Sequence, residues 1–323
     1  MEMKSYRPGD ETEILELFLK AFRKPLSHGF WQWRFEKNPF VLKPMISLMW
    51  ENEILAGHYA VSGTELSIDG KIHLFSLSGT TMTSPGFEGK GIFSSLALDL
   101  YDRVANDPGV TGVMGFPNQK SHYALVKKIH WKDLNILTNF SISGTKAGMR
   151  QVPGMQLISR FDQRHADFIH QAISDLGFSV FVNRSAAYLN WRYLDCPVQD
   201  YDCFEYISNN EIKGIIVTKS FDSFQHAGHK EADILEIFCA PQEDVIKDLL
   251  AGAGYFYASR EVHIFQMNSW ISIMDARHLL MEKLGFVNGG PLTFFCTKSF
   301  ISGADQIYDY RNWYLSLGDS DVF

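Results

Sequence analysis

The stretch SPGFEGKGIFS, residues 84–94, places Gly86, Gly89 and Gly91 at the junction of two patterns. Before it, residues 72–83 read as a β-strand. After it, Ile92, Leu96, Leu100 and Val104 recur on one face of a helix expected over about residues 90–104. Three glycines, each of which loses more conformational freedom on folding than any other residue, serve here either a tight strand-to-helix turn or an anion cradle. The first N–H groups of a helix lack intrahelical partners and sit at the positive end of its dipole. Glycines let a phosphate approach that backbone closely. Two other phosphate loops fail on spacing. A Walker A loop needs G-x-x-x-x-G-K-[ST], but Gly91 follows Lys90. A dinucleotide loop needs G-x-G-x-x-G, but Ser94 takes the third place.

The chain has 323 residues, 46% hydrophobic and 21% charged, which is globular composition with length for about two domains. Its net charge of −7 argues against nucleic acid or an anionic membrane as partner, since both require basic surface. Cys196, Cys203, Cys239 and Cys296 form neither a C-x-x-C pair nor a zinc-like spacing. A reducing compartment and no metal are expected. The start, Met1 to Lys4, lacks the basic-then-apolar layout of a signal peptide. No apolar run nears the ~18 residues of a membrane span. A soluble cytoplasmic protein is the expectation.

Asp10 and Glu13 have capping-box spacing ahead of the helical run Ile14, Leu15, Phe18 and Phe22. A short helix carrying Phe30, Trp31, Trp33 and Arg34 is closed by Pro39. Strands are expected over residues 45–50, 54–62 and 64–83, the last folded into a hairpin at Asp69-Gly70. After the glycine loop and its helix come a strand at 110–116, a helix at 119–129 and a strand at 134–143. GTKAGMRQVPGMQ, residues 144–156, reads as an interdomain linker.

The second half repeats the first. WQWRFEKNP ends at Pro39 and LNWRYLDCP at Pro197; KKIHWKD, residues 127–133, resembles EKLGFVN, residues 282–288. The two pairs have nearly equal offsets and the same order, so an internal duplication is expected. Trp33, Arg34, Trp191, Arg192 and Tyr193 occur in both copies, which favours a shared structural role over a ligand contact.

GFEGKGIF, residues 86–93, resembles the pyrophosphate loop of the GNAT superfamily of acyl-CoA-dependent N-acyltransferases, [QR]-x-x-G-x-[GA]. Gly89 and Gly91 match its small residues. Gly86 replaces the first Gln or Arg, and Glu88 stands where such proteins often carry Arg. Asn118, Ser121, Lys127 or Lys128, His130 and Trp131 follow the superfamily's next motif in order, and SYRPGDETEILELF, residues 5–18, is similar to its opening strand and helix. The resemblance implies an α/β fold of two tandem GNAT units, each a mixed twisted sheet flanked by helices. The expected domains are 1–145, with the loop, and 157–323, a degenerate copy without it. The matching segment of the second copy, CAPQEDVIKDLL, lacks glycine and carries Glu243 and Asp244. One acyl-CoA per chain is therefore expected.

The chemistry so implied is attack of an amine on the thioester carbonyl of an acyl-CoA co-substrate. The backbone of Thr81, Met82 and Thr83 is expected to bind the pantetheine and the oxyanion. Glu88, Gly89, Lys90, Gly91, Ile92 and Phe93 would surround the pyrophosphate, with Asn118 and Ser121 completing the site. Many members use a helical Tyr as acid, but that place holds Val126, leaving Tyr123 one turn earlier. His58, His73 and His122 have the pKa range for a base, with water as the alternative. Glu65, the HAGH run at residues 226–229 and the tail acids Asp309, Asp319 and Asp321 read as solvated. The expected partner is a small-molecule amine, foremost a nucleotide-linked amino sugar, and a homodimer is envisaged. The other readings are a tandem aminoacyl transferase of cell-wall synthesis and a non-catalytic acyl-CoA-binding regulator.

Overall fold

A computed structural model describes residues 1–320; Asp321 lies outside the described residues. The first half runs β1 (Glu2–Ser5), α1 (Glu11–Phe22), α2 (His28–Trp31), β2 (Met45–Glu51), β3 (Ile54–Ile68), β4 (Lys71–Thr83), α3 (Ile92–Asn106), β5 (Gly112–Gly115), α4 (Gln119–Lys128) and β6 (Lys132–Ser143). The second runs α5 (Gly144–Ala147), β7 (Met155–Leu157), α6 (Gln163–Asp175), β8 (Val180–Val182), α7 (Ala186–Leu189), β9 (Asp202–Ser208), β10 (Glu211–Asp222), β11 (Lys230–Cys239), α8 (Glu243–Ser259), β12 (Ile264–Ser269), α9 (His278–Leu284) and β13 (Val287–Ser299).

The chain forms two compact units. The first comprises Met1–Asn135, Cys196–Val198 and Thr293–Tyr310; the second comprises Ile136–Asp195, Gln199–Leu292 and the chain from Arg311 on. In the first, the strand order is β1-β2-β3-β4-β5, followed by the end of β13. In the second it is β7-β9-β10-β11-β12, followed by residues 136–143 of β6. The two plans correspond strand for strand. β4 runs parallel to β5, as β11 does to β12. The last strand is antiparallel in both, with Cys296 opposite Gly115 and Gln266 opposite Ser143. Each sheet thus takes its final strand from the other half of the sequence.

This departs from the contiguous division at 145/157. Apolar residues on the exchanged strands explain it, since Cys296 joins the first core while Phe140 and Ile142 join the second. The segment 144–156 is also not a loose linker. A Cβ on Gly144 would lie 1.8 Å from the Ile264 carbonyl oxygen, and one on Gly154 2.0 Å from that of Ile207. These glycines serve close backbone packing rather than flexibility.

The repeated Trp-Arg motifs have one local structure. Ser27 and Ser185 each cap a single helical turn, and each turn continues as a five-residue π-helix, Gln32–Glu36 and Asn190–Leu194. π-Helical turns are rare, so their recurrence at matched positions supports duplication better than the sequence pairs do. Arg34 and Arg192 are buried within them.

In the first unit, α3 packs Ile92, Leu96, Leu100 and Val104 together with Tyr59, Val61, Val113 and Trp131. A separate cluster joins Ile14, Leu17 and Phe18 of α1 to Ile46, Leu48, Ala60 and Met82. Asp69 and Gly70 both have positive φ, which fits a primed hairpin turn between β3 and β4. The expected break in β3 near Gly63 does not occur; the strand is continuous. Nor does the Asp10–Glu13 capping box form. Asp10 instead accepts from the Arg7 N–H, 2.8 Å away.

Candidate active site

Two strand features meet at the head of α3. In the β3–β4 ladder, His58 pairs with Met82 but Ala60 pairs with Gly79, so β4 carries one extra residue. Thr80 at this bulge has φ +56°, a left-handed conformation that strains a β-branched residue. Bulges re-aim a strand and leave backbone groups outside the ladder. β4 and β5 pair at Ser76–Val113 and Leu77–Met114, before the bulge. The expected binding segment Thr81–Thr83 lies just past it.

Gly57 pairs with Thr83. A Cβ on Gly57 would meet the Ile92 side chain at 2.3 Å. This glycine lets the first turn of α3 close on the strand beside the end of β4, a role absent from the sequence expectations. Glycine in a strand interior often marks such an approach.

Gly86, Gly89 and Gly91 all have φ between +75° and +86°, and a Cβ on any of them would meet no atom within 4 Å. Their free space faces away from the protein's own packing, as a ligand cradle requires. Gly91 is the N-cap of α3 and its carbonyl accepts from Ser95. By position, the N–H groups of Ile92, Phe93 and Ser94 lack intrahelical acceptors. Ile92 is buried and Phe93 packs edge-on against Tyr59, so both would serve an anion through their backbone. Glu88 turns back and accepts from the Gly86 N–H at 2.7 Å. The Lys90 ammonium stands over the Phe87 ring, 4.5 Å from its centroid.

Beneath the loop runs a buried hydrogen-bond chain. Trp131 Nε1–H donates to the Tyr101 hydroxyl at 3.1 Å; Tyr101 and Tyr59 hydroxyls are 2.6 Å apart, and Tyr59 reaches Ser78 Oγ at 3.0 Å. Burial pushes the Tyr59 hydroxyl up to about 12, so the chain is neutral at pH 7. It ties α3 to β3 and β4 below the bulge.

The histidines separate clearly. His73 pairs with Leu66 and Glu65 with Leu74, roughly 20–23 Å along β4 from the bulge at ~3.3 Å per residue. His58 is fully buried opposite the bulge, and its Nδ1–H donates to the Thr80 carbonyl at 2.7 Å. Nε2 is a buried acceptor without a hydrogen-bond partner. Burial holds the ring pKa down at about 4, so His58 is neutral and weakly basic. Its geometry is that of a residue that fixes the bulge. His122, on α4, is stacked on Phe294 with centroids 3.9 Å apart, and its Nε2 lies 2.9 Å from Asp133 Oδ2.

Tyr123 is 60% exposed, on the α4 face opposite buried Leu125. Val126, in the place of the superfamily's Tyr, packs on the core. Asn118 caps α4, accepting from the Lys120 and Ser121 N–H groups at 3.0 and 3.1 Å, while Ser121 Oγ donates back to it. The structure thus gathers Thr81–Thr83, the glycine loop and His58 around the head of α3. It gives Asn118 and Ser121 a capping role and turns Tyr123 to solvent. Thr80, Gly57 and the His122 neighbours Asp133 and Phe294 were not foreseen.

In the second unit, β11 is followed by α8, which begins with Glu243 and Asp244 in its first turn. An anion finds neither glycine nor positive potential there. His226 and His229 lie in an exposed loop against Phe265. No helix among the described residues is long and apolar enough to cross a membrane.

Comparison with known proteins agrees with this geometry. Residues 2–132 match the family model described as an acetyltransferase (GNAT) domain. No curated protein matches the chain in sequence. Among solved structures, a GCN5-related N-acetyltransferase from Anabaena variabilis superposes with a TM-score of 0.68 at 11% identity, over 95% of this chain and 75% of that one. Another from Kribbella flavida gives 0.66 at 11%, over 95% and 73%. N-myristoyltransferase from Saccharomyces cerevisiae with bound myristoyl-CoA gives 0.61 at 9%, over 92% and 82%. Residues 2–132, which build the bulged strand, the glycine loop and α3, thus match the acetyltransferase (GNAT) domain model, and the chain shares its fold with solved N-acetyltransferases.

Proposed function

We propose that the first unit transfers an acyl group from acyl-CoA to the primary amine of a small molecule, and that a nucleotide-linked amino sugar is the acceptor. The carrying observation is the head of α3, where three left-handed glycines with open space face the uncapped helix, beside the bulged end of β4. Pyrophosphate would bind the N–H groups of residues 92–94 and the loop. The pantetheine amides would pair with residues 81–83 as an added strand does. The thioester carbonyl would then lie at the bulge, where a backbone N–H can stabilise the oxyanion. Thiolate is a good leaving group, so a solvent-facing Tyr123 is no obstacle to the chemistry.

The amino-sugar assignment is supported by the duplicated layout and by the acidic charge, which disfavours an acylated tRNA as donor. The test is thiol release from a panel of acyl-CoAs, acetyl to myristoyl, against amino-sugar nucleotides, free amino sugars, polyamines and a peptide amine. Turnover with an amino-sugar nucleotide at a kcat/KM well above the other amines is expected. Turnover confined to another amine overturns the acceptor. Binding of acyl-CoA without turnover under any amine favours the regulator, and no binding at all refutes the acyl-CoA site.

A further inference from the structure

We propose that His122, Asp133 and Cys296 form a binding site for a zinc-class divalent cation. The three come from α4, the start of β6 and β13, all within the first unit. His122 Nε2 lies 2.9 Å from Asp133 Oδ2, and Cys296 Sγ lies 3.6 Å from Asp133 Oδ1. One ligand atom from each residue falls within 4.8 Å of the others. Zinc binds thiolate at about 2.3 Å, imidazole at about 2.0–2.1 Å and carboxylate at about 2.0–2.2 Å, nearly tetrahedrally. Such bonds place neighbouring ligand atoms roughly 3.3–3.6 Å apart. The present separations bracket that range, so a cation can be received by small side-chain adjustments.

The ligand types select the metal class. One sulfur, one imidazole nitrogen and one carboxylate oxygen suit zinc or cobalt rather than magnesium or calcium, which take oxygen shells. The supports are rigid. Phe294 stacks on the imidazole, and Cys296 is locked into the ladder opposite Gly115. Asp133 is exposed, so water can complete the coordination. The cation would cross-link residues far apart in sequence and thereby pin the exchanged strand β13 to α4. Closing so long a loop makes metal binding a contribution to folding. Sequence spacing gave no hint of it, because no two of these ligands lie in a recognisable metal motif.

The test uses the full chain carrying no metal-binding tag, stripped with chelator and titrated with Co²⁺. The expected result is saturation at one equivalent per chain, with a near-ultraviolet thiolate-to-cobalt band and intense visible bands of a tetrahedral site. Zn²⁺ should displace the cobalt and raise Tm. Cys296→Ser should abolish the ultraviolet band. His122→Gln, on a helix surface, should keep the fold by circular dichroism and weaken Co²⁺ by at least ~10-fold. Absence of the band in wild type at millimolar Co²⁺ overturns the proposal. So does its persistence in Cys296→Ser, which would assign the thiolate to another cysteine.

Discussion

The Glu88 carboxylate accepts a hydrogen bond from the Gly86 N–H, with N and Oε2 2.7 Å apart, inside the loop at the α3 N-terminus. An internal anion thus occupies one donor of the cradle and opposes an incoming pyrophosphate. One unit charge at ~4 Å in water is worth about 1 kcal/mol. Glu88→Gln should therefore tighten CoA binding about 3- to 10-fold at low salt. The gain should shrink as salt screens the exposed charge. Calorimetric titration at two ionic strengths checks this. Weaker binding by the variant would mean that the carboxylate's hold on the loop matters more than its charge.

Gly91 separates strain from ligand contact. Its φ of +75° costs a non-glycine residue about 1–2 kcal/mol, while an added methyl meets no atom within 4 Å. Gly70, at the β3–β4 hairpin, has φ +77° and equally open space. Gly91→Ala and Gly70→Ala should lower Tm by similar amounts. Only Gly91→Ala should also weaken CoA, by more than ~10-fold, since its methyl enters the pyrophosphate's space. Equal CoA affinities in the two variants would remove the loop from the binding site.

What the sequence revealed and concealed follows the range of the forces involved. The glycine loop and its helix were readable because strand, loop and amphipathic period are local signals. The Trp33 and Trp191 repeats were readable because local structure conserves side-chain pattern, down to the shared π-turn. The strand exchange was not readable. Residues 134–143 look like a strand in either partnership, and only apolar contacts formed across the whole chain decide which sheet takes them. The 144–156 glycines were misread because close packing and flexibility use the same residue. Thr80 carries no signal at all, since a β-branched residue in a strand gives no hint of positive φ. His122 was singled out, but its contacts with Asp133 and Phe294 depend on tertiary placement.

His58 predicts a pH effect. Burial holds its folded pKa at about 4 against the ordinary histidine value of 6.5. Between those values the unfolded chain binds a proton that the folded chain does not, so stability rises with pH across this window. The contribution is complete above about 6.5 and is lost as pH falls towards about 4. The full difference amounts to roughly 3 kcal/mol. Wild type should lose Tm more steeply between pH 7 and 4.5 than His58→Leu, which has no proton to take up. The same variant should raise KM for acyl-CoA through the unpinned Thr80 carbonyl. Parallel pH profiles for the two proteins would show that another group governs the acid loss.

In the second unit, the strand that corresponds to β4 meets a different fate. Glu236 of β11 and Asp319 of the tail both contact Arg184, at 3.0 and 2.7 Å, with all three side chains fully buried. Tyr193 donates to Glu236 at 2.8 Å, and a Cβ on Gly318 would lie 2.2 Å from the Tyr193 hydroxyl. The tail is therefore packed onto β11, and its counterpart of the bulged strand is committed to an internal ion cluster. Arg184→Met should cost about 3–5 kcal/mol, because it leaves two buried carboxylates uncompensated. Adding Glu236→Gln should recover part of that loss by removing one of them. Neither change alters the first unit's loop, so CoA should still titrate to one molecule per chain, as in wild type. Denaturant unfolding of the single and double variants checks the first expectation, and calorimetric stoichiometry checks the second. A second CoA bound to wild type would show that β11 keeps a working cleft despite the tail.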